Sequence, residues 1–264
     1  MENVSKALII SAGILFAILV LTLLVIFFNQ MSSYYSEQNK AKMIEQTTEF
    51  NNKFDNYSGK DIRGNELTSV MNRVVDYNRT YADIQDYERI IITVDLKGHK
   101  DDLVHDGTPE NCKLFKNDKI TNSNGDNNIS DVSNLASKVV DDTGIEETKL
   151  QKLSSDIDIV CNSSTDDNNK DTRNKKIKSI LGYVPNNTEL KKIQNATYKY
   201  YQLTQFKRAM FKCTEIVHSQ TTGRVNKINF EAVIDNGIIK SNWYNYKYKM
   251  KGNIKWKMQP KLYI

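Results

Sequence analysis

The sequence predicts an α+β protein in which an N-terminal transmembrane helix runs into an exported domain with several helices and C-terminal antiparallel hairpins. Three observations lead to this prediction. An apolar run without a single charge covers residues 7–28. Several later stretches repeat apolar residues at helical spacing, and a short β-branched run lies among them. Near the C-terminus, apolar residues alternate with lysines at the period of two that a half-buried strand requires.

The apolar run "ALIISAGILFAILVLTLLVIFF" contains 22 residues, from Ala7 to Phe28. As a helix it rises about 33 Å, which is enough to cross a hydrocarbon core of roughly 30 Å. A signal peptide has a shorter apolar core of about 7–15 residues, followed by small residues at the cleavage site. Because this run ends in "FFNQM", we expect a retained transmembrane helix at residues 7–28 behind a cytoplasmic tail at 1–6.

The charges that flank the run predict its orientation. Lys6 precedes it, opposed by Glu2, and the next cations on the far side are Lys40 and Lys42. Because positively charged flanks stay on the cytoplasmic side, we expect residues 29–264 outside the cytoplasm. The chain would then be a single-pass signal-anchor protein of the cell membrane, with the bilayer as the partner of residues 7–28.

Residues 29–96 predict a continuation of this helix, a second helix and a first strand. The first helix continues through four residues at spacings of four, three and four, which are Met43, Thr47, Phe50 and Phe54. The turn cluster "NYSG" at 56–59 should end it. A second stripe starts near residue 65, with Leu67, Val70, Met71, Val74 and Val75 as its apolar members. The run "RIIITVDL" at 89–96 predicts a buried strand because β-branched residues dominate it.

Composition divides the rest of the chain into three segments. Residues 97–130 are rich in Asn and Asp and predict a polar loop. Residues 131–171 predict an acidic helical segment, with a helix that ends at Gly144 and carries Val132, Leu135, Val139 and Val140 on one face. The end of this segment, 162–171, predicts a polar gap.

Residues 172–264 predict a basic α+β segment with C-terminal hairpins. A helix from about residue 188 to 206 should bury one face, formed by Leu190, Ile193, Thr197, Tyr200, Tyr201 and Thr204. This segment has 19 Lys and Arg against 4 Asp and Glu, whereas residues 100–171 have 8 against 16. Such an asymmetry predicts either two surfaces with different partners or two surfaces that attract each other.

The stretch "YKYKMKGNIKWKM" near the C-terminus predicts a hairpin with one cationic face. A three-residue loop at 251–253 pairs Met250 with Ile254 and Tyr248 with Trp256, which keeps one face apolar. The opposite face carries five lysines, which are Lys247, Lys249, Lys251, Lys255 and Lys257. This face is the binding candidate for an anionic wall polymer, a lipid surface or an acidic protein, and no nucleic acid is expected outside the membrane. The alternative is a solvated sheet face whose lysines prevent edge pairing.

Two groups of residues resemble catalytic or metal sites in type but not in spacing. The stretch "GHKDDLVHDGTPENC" gathers metal-ligand residue types without a metal-binding spacing, namely His99, Asp101, Asp102, His105, Asp106, Glu110 and Cys112. The stretch "FKCTEIVHSQTTGR" presents Cys213 and Arg224 around an expected turn, with His99 or His105 upstream. This arrangement resembles sortases, membrane-anchored transpeptidases that use a Cys, an Arg and a His. The family's T-L-x-T-C context is missing, and the alternative is a buried Cys213.

We therefore expect no catalytic residues, no metal and no cofactor. The three cysteines, Cys112, Cys161 and Cys213, are too few for a disulfide framework, and both one bridge with a spare thiol and three free thiols stay open.

Two stretches together carry a resemblance that covers about a third of the chain. They are "NYSGKDIRGNELTSVMNRVVDYN" and "FKRAMFKCTEIVHSQTTGRVNKINFE". They resemble uncharacterised single-span membrane proteins of low-GC Gram-positive bacteria, which are loosely type IV pilin-like. The N-terminal "MENVSKALIISAG" lacks the Gly-Phe processing site and the glutamate of true prepilins. The resemblance implies a membrane-anchored structural or interaction protein with protein partners in the membrane or envelope. The alternatives are an exported module that binds anionic wall polymer or lipid, and, more remotely, a sortase-like transpeptidase.

Overall fold

The computed structural model describes residues 2–81, 88–122, 132, 135–162 and 166–241. It divides into two compact units, residues 1–53 and 54–264. The first unit is a single helix, and the second is an α+β domain with antiparallel strands in its C-terminal part. The fold class predicted from the sequence is confirmed at this level.

The N-terminal helix α1 (Glu2–Asp55) is continuous over 54 residues, which corresponds to a rise of about 81 Å. Its sequence contains no proline and only one glycine, Gly13. Within the apolar run, the hydroxyl groups of Ser11 and Thr22 donate to the carbonyls four residues earlier, at 2.7 and 2.8 Å. These polar atoms are therefore satisfied inside the helix, as a lipid environment requires. The helix ends at the predicted turn, where Gly59 has a φ of 69°.

The domain is built on a five-stranded sheet. Its strands are β1 (Asp61–Arg63), β2 (Ile91–Asp95), β3 (Lys119–Thr121), β4 (Met210–His218) and β5 (Val225–Ala232). They lie side by side in the order β1-β4-β5-β2-β3, and only β2 and β5 run parallel to each other. The hairpin of β4 and β5 is the one predicted around residues 213–224. Two short strands, β6 (Ile234–Asp235) and β7 (Ile238–Ile239), form a separate small hairpin.

Six helices accompany the sheet in the described part of the domain. They are α2 (Gly64–Thr80), α3 (Leu135–Thr143), α4 (Glu147–Ser155), α5 (Ile157–Val160), α6 (Asp167–Leu181) and α7 (Asn187–Arg208). Helix α2 packs against β1, β2 and β4 with its predicted stripe, in which Leu67, Val70, Met71 and Val74 are fully buried. Helix α7 contacts α2 as well as α3, α4 and α5, so that it lies at the centre of the helical part.

The central position of α7 explains why it buries more than the predicted face. Ile193, Thr197 and Tyr200 are buried as expected, but so are Ala196, Tyr198, Gln202, Leu203 and Phe206. A helix with neighbours on several sides cannot show a single apolar stripe. Its N-terminus is fixed by a capping box, because the Asn186 side chain accepts from the Glu189 N–H and the Glu189 carboxylate accepts from the Asn186 N–H.

The opposite face of the sheet is polar and follows the strand register. One row crosses all five strands and contains Asp61, Lys212, Glu231, Asp95 and Lys119. Charges of opposite sign alternate along most of this row, and ion pairs join Lys97 to Glu231 and Lys119 to Asp95, at 2.6 and 3.9 Å. Cross-strand pairs of this kind stabilise a solvated sheet face modestly. The sheet therefore packs helices on one side and faces solvent on the other.

Two segments differ from the sequence-based expectation. Helix α6 starts at Asp167, inside the stretch predicted as a polar gap, and its N-terminus is capped by the Asp166 side chain. Only Ile177 of this helix is buried, so the sequence has no apolar stripe that would predict the helix. Residues 97–122, predicted as a polar loop, contain two short 3-10 turns, Lys100–Leu103 and Glu110–Cys112, and the strand β3.

Candidate functional sites

The apolar part of α1 is the most conspicuous surface of the molecule. Seventeen large apolar side chains between Val4 and Phe28 are exposed, from 38% at Val20 to 69% at Ile9 and Leu15. In the described part of the domain only four large apolar side chains are exposed, and they are Ile91, Tyr183, Val184 and Ile238. A helix that is apolar on every side is typical of a membrane span. Length and composition thus make α1 compatible with one membrane-spanning segment.

The cationic hairpin face lies outside the described residues. This applies to all five of its members, Lys247, Lys249, Lys251, Lys255 and Lys257. The described chain ends at Ser241, which forms an antiparallel bridge with Ala209 at the start of β4. The proposed binding role of these lysines stays a prediction from the sequence.

Each of the three histidines lies against an aspartate. His99 Nδ1 is 3.1 Å from Asp102, and His105 Nε2 is 2.8 Å from Asp158. His218 Nε2 is 3.1 Å from Asp55, the last residue of α1.

The pairs of His105 and His218 join parts of the domain that are distant in the sequence, whereas His99 and Asp102 are three residues apart. Asp158 belongs to α5, and Asp102 also accepts a hydrogen bond from the Ile239 N–H of β7 at 3.0 Å. His105 is largely buried, with its ring edge-on to Tyr201 at a centroid distance of 5.4 Å. The geometry gives the histidines the role of structural links between segments.

All three cysteines are free and buried. Burial raises the pKa of Cys112 and Cys213, and it raises the pKa of Cys161 to about 12. Of the two alternatives left open by the sequence, the structure shows three free thiols and not one disulfide with a spare thiol. A thiol with a raised pKa is poorly ionised at neutral pH, and the thiolate is the form that acts as a nucleophile or metal ligand.

Cys213 lies inside the sheet rather than at an open site. It belongs to β4, is 1% exposed, and its backbone N–H and C=O pair with Lys60 and Gly59. Arg224 lies in the turn that follows β4, as the sequence predicted. His105, the more buried of the two proposed upstream histidines, is bonded to Asp158. The surroundings of Cys213 match the alternative reading of a small buried side chain.

The segment with metal-ligand residue types is held to the core by Gln202. This side chain is fully buried in α7; its Nε2 donates to Cys112 O at 2.9 Å, and its Oε1 accepts from the Leu114 N–H at 2.8 Å. Phe115 follows and stacks on Phe206 with ring centroids 5.5 Å apart. Among the described residues, no three His, Cys, Asp or Glu side chains come together as a metal site would require.

A basic and apolar surface forms where α6 turns into α7, and we name residues 175–192 the α6–α7 corner. Gly182 ends α6 with a φ of 91°, and the next two residues, Tyr183 and Val184, are 47% and 50% exposed. Four exposed lysines flank this tip, and they are Lys175, Lys178, Lys191 and Lys192. Residues 172–192 contain six Lys and Arg against one acidic residue, Glu189, whose carboxylate serves the capping box.

The comparisons with known proteins give no relative. No protein-family model matches the chain, no curated protein matches it, and no solved structure matches it.

Proposed function

We propose that this chain is a single-pass membrane-anchored protein whose α+β domain lies outside the cytoplasm. In this proposal the domain serves as a structural or interaction component of an envelope, secretion or pilus-like assembly, and it has no catalytic role. The observation that carries the proposal is the contrast in exposed apolar surface between α1 and the domain. Leaving seventeen large apolar side chains of one helix in water would cost far more free energy than a stable domain can offset.

The proposed orientation depends on the charges beside the span. Lys6 and the N-terminal amino group lie on the short side, and the next 11 residues beyond Phe28 carry a single charge, that of Glu37. Positive charge near a span is retained in the cytoplasm, which favours an exported domain. The continuous helix beyond Phe28 would then extend from the membrane for about 37 Å, since 25 residues separate Phe28 from Phe54.

The proposed non-catalytic role is supported by the state of the reactive side chains. The thiols are buried with raised pKa values, and each histidine is engaged with an aspartate that links segments. The thiols are unsuited to catalysis, because a nucleophile must be accessible to a substrate and all three cysteines are buried.

Protease shaving tests the orientation. Intact cells that express the chain with different tags at its two ends are treated with external trypsin. We expect loss of the C-terminal tag and protection of the N-terminal tag with residues 1–28. A domain that is digested only after lysis would contradict the proposal, and so would a soluble mature chain trimmed near Gln30.

A matched pair of variants tests the anchor. Arginines in place of Leu15, Leu19 and Leu23 together add about 7.5–10.5 kcal/mol to the cost of insertion, whereas isoleucines at the same three positions keep the run apolar. We expect the arginine variant to shift out of the membrane fraction and the isoleucine variant to stay. If both fractionate alike, the apolar run is not the anchor.

Crosslinking in membranes followed by pulldown tests the role of the domain. Stable protein partners would support an assembly component. Retention on wall polymer without protein partners would instead favour the exported binding module.

A further inference from the structure

We propose that the α6–α7 corner binds the surface of an anionic lipid bilayer. The corner combines two features that are rarely found together on a soluble surface. Tyr183 and Val184 are adjacent exposed apolar residues in the linker between α6 and α7, at 182–186. Exposed lysines lie on both helices beside this linker, in the last two turns of α6 and the first two turns of α7.

The chemistry of each part fits a different layer of such a surface. A tyrosine ring and a neighbouring aliphatic side chain partition into the interface between headgroups and acyl chains. Lysines beside them reach phosphate groups, and each contributes about 1 kcal/mol of attraction to an anionic leaflet. The corner contains the C-terminus of α6 as well as the N-terminus of α7, so the two helix dipoles offset each other and the lysines supply its positive charge.

The apolar tip distinguishes a bilayer from a soluble polyanion. A polymer of phosphate groups would be attracted by the four lysines alone and would gain little from Tyr183 and Val184. Exposed apolar residues at the centre of a basic surface add affinity only where an apolar layer lies beneath the charges. The corner therefore favours a lipid surface as its occupant.

The corner lies at one end of α7, away from the start of the domain. Gly64 contacts the opposite end of α7 at Phe206, 19 residues and about 29 Å of helix from Asn187. Binding is therefore tested in trans, on vesicles that do not hold the anchor. Because the corner belongs to the domain, the result of this test does not depend on the orientation proposed for α1.

The experiment uses the full chain in nanodiscs of phosphatidylcholine and measures flotation with added vesicles. One set of vesicles is pure phosphatidylcholine, and the other contains about a third of phosphatidylglycerol. We expect at least about tenfold more binding to the anionic set at low salt, decreasing as salt is added.

Three double variants locate the binding. Lys191→Glu with Lys192→Glu should lower binding by about tenfold or more, and Tyr183→Ser with Val184→Ser should lower it several-fold. The matched control, Lys116→Glu with Lys152→Glu, makes the same change in net charge at two exposed lysines outside the corner and should bind like the wild type. All variants keep Lys247 to Lys257, so undiminished binding in the first variant would overturn the proposal and leave the C-terminal lysines as the source.

A fluorescent label gives a second readout that does not depend on a weakened variant. Because the native thiols are buried, a Tyr183→Cys variant can be labelled selectively in the folded state. Its emission should shift to the blue with anionic vesicles, and a label on an Asp235→Cys variant at the β6–β7 hairpin should not respond. An unchanged emission at position 183 overturns bilayer docking. A polyanion would be the occupant instead under two joint results. The chain would bind soluble polyphosphate equally well with and without the Tyr183→Ser and Val184→Ser changes, and it would not bind vesicles.

Discussion

Replacing Gly64 by alanine should destabilise the domain strongly for a steric reason. Gly64 is the first residue of α2 and lies against the backbone of α7. A Cβ added there would be 1.7 Å from Phe206 O, 2.7 Å from Phe206 C and 3.0 Å from Lys207 Cα. All of these are backbone atoms, so no side chain can rotate away. Only glycine allows the two helices to approach this closely.

The magnitude follows from the distance that must be recovered. A nonbonded carbon and a carbonyl oxygen approach to roughly 3.3 Å, so α2 would have to move by about 1.6 Å. Overpacking of this kind costs about 1–3 kcal/mol. The shift also breaks the Gly64 N–H bond to Ala209 O at 2.8 Å, which adds about 1 kcal/mol. The higher helix propensity of alanine offsets less than about 1 kcal/mol at a first helical position. We expect a net loss of about 2–3 kcal/mol.

Thermal unfolding of the full chain in detergent micelles measures this loss. A thiol-reactive dye reports the transition, since all three cysteines are buried in the folded domain. A loss of about 2–3 kcal/mol should lower the Tm by about 5–10 °C for a unit of this size. Gly13→Ala is the matched control, because its added Cβ meets nothing within 4 Å, and it should leave the Tm unchanged. A Gly64→Ala variant that unfolds within about 1 °C of the wild type would refute the steric argument.

Three further changes test the interior. Gln202→Leu leaves Cys112 O and the Leu114 N–H without their partner and should cost about 2–4 kcal/mol, measured by guanidinium unfolding. Burial raises the pKa of Cys161 from its ordinary 9.0 to about 12, so stability should fall as pH rises from about 9 to 12, and Cys161→Ala should flatten this alkaline limb in Tm measurements. The hydroxyl groups of Ser219 and Thr221 donate to Glu88 and lower its pKa below the ordinary 4.5. Its contribution to stability is therefore present above pH 4.5 and is lost as pH falls through the lowered pKa. Glu88→Gln should remove this loss of stability at low pH, measured as Tm against pH.

The elements that were predicted correctly are those whose signal is local. The end of α1 follows from the turn cluster at 56–59, and α2 follows from one buried stripe. The strand β2 follows from β-branched residues, and the β4–β5 hairpin follows from two strand patterns around a turn. For α2, β2 and the hairpin, the residues that carry the signal are also the residues that form the contacts.

The features that were missed depend on residues far apart in the chain. Helix α6 buries one side chain, so its local signs are its caps, Asp166 at the start and Gly182 at the end. Residues 97–122 lack an apolar stripe, and they are held in place by Gln202, about 90 positions away. The parallel register of Ile92 with Ile228 joins strands more than 130 residues apart, and no periodicity within either strand encodes that partner.

The charge asymmetry of the sequence shows why the position of a charge matters more than its count. Part of the basic segment does face the acidic one, since Lys176 pairs with Asp156 at 3.0 Å and Lys207 lies 4.0 Å from Glu147. Four other lysines of the α6–α7 corner are exposed on either side of Tyr183 and Val184, and they are Lys175, which pairs with Asp171 at 2.7 Å, Lys178, Lys191 and Lys192. The same composition thus contains both an internal attraction and a surface suited to an external partner. The sequence leaves these two alternatives open, whereas in the structure Lys176 and Lys207 face the acidic segment and the exposed lysines of the corner remain available to an external partner.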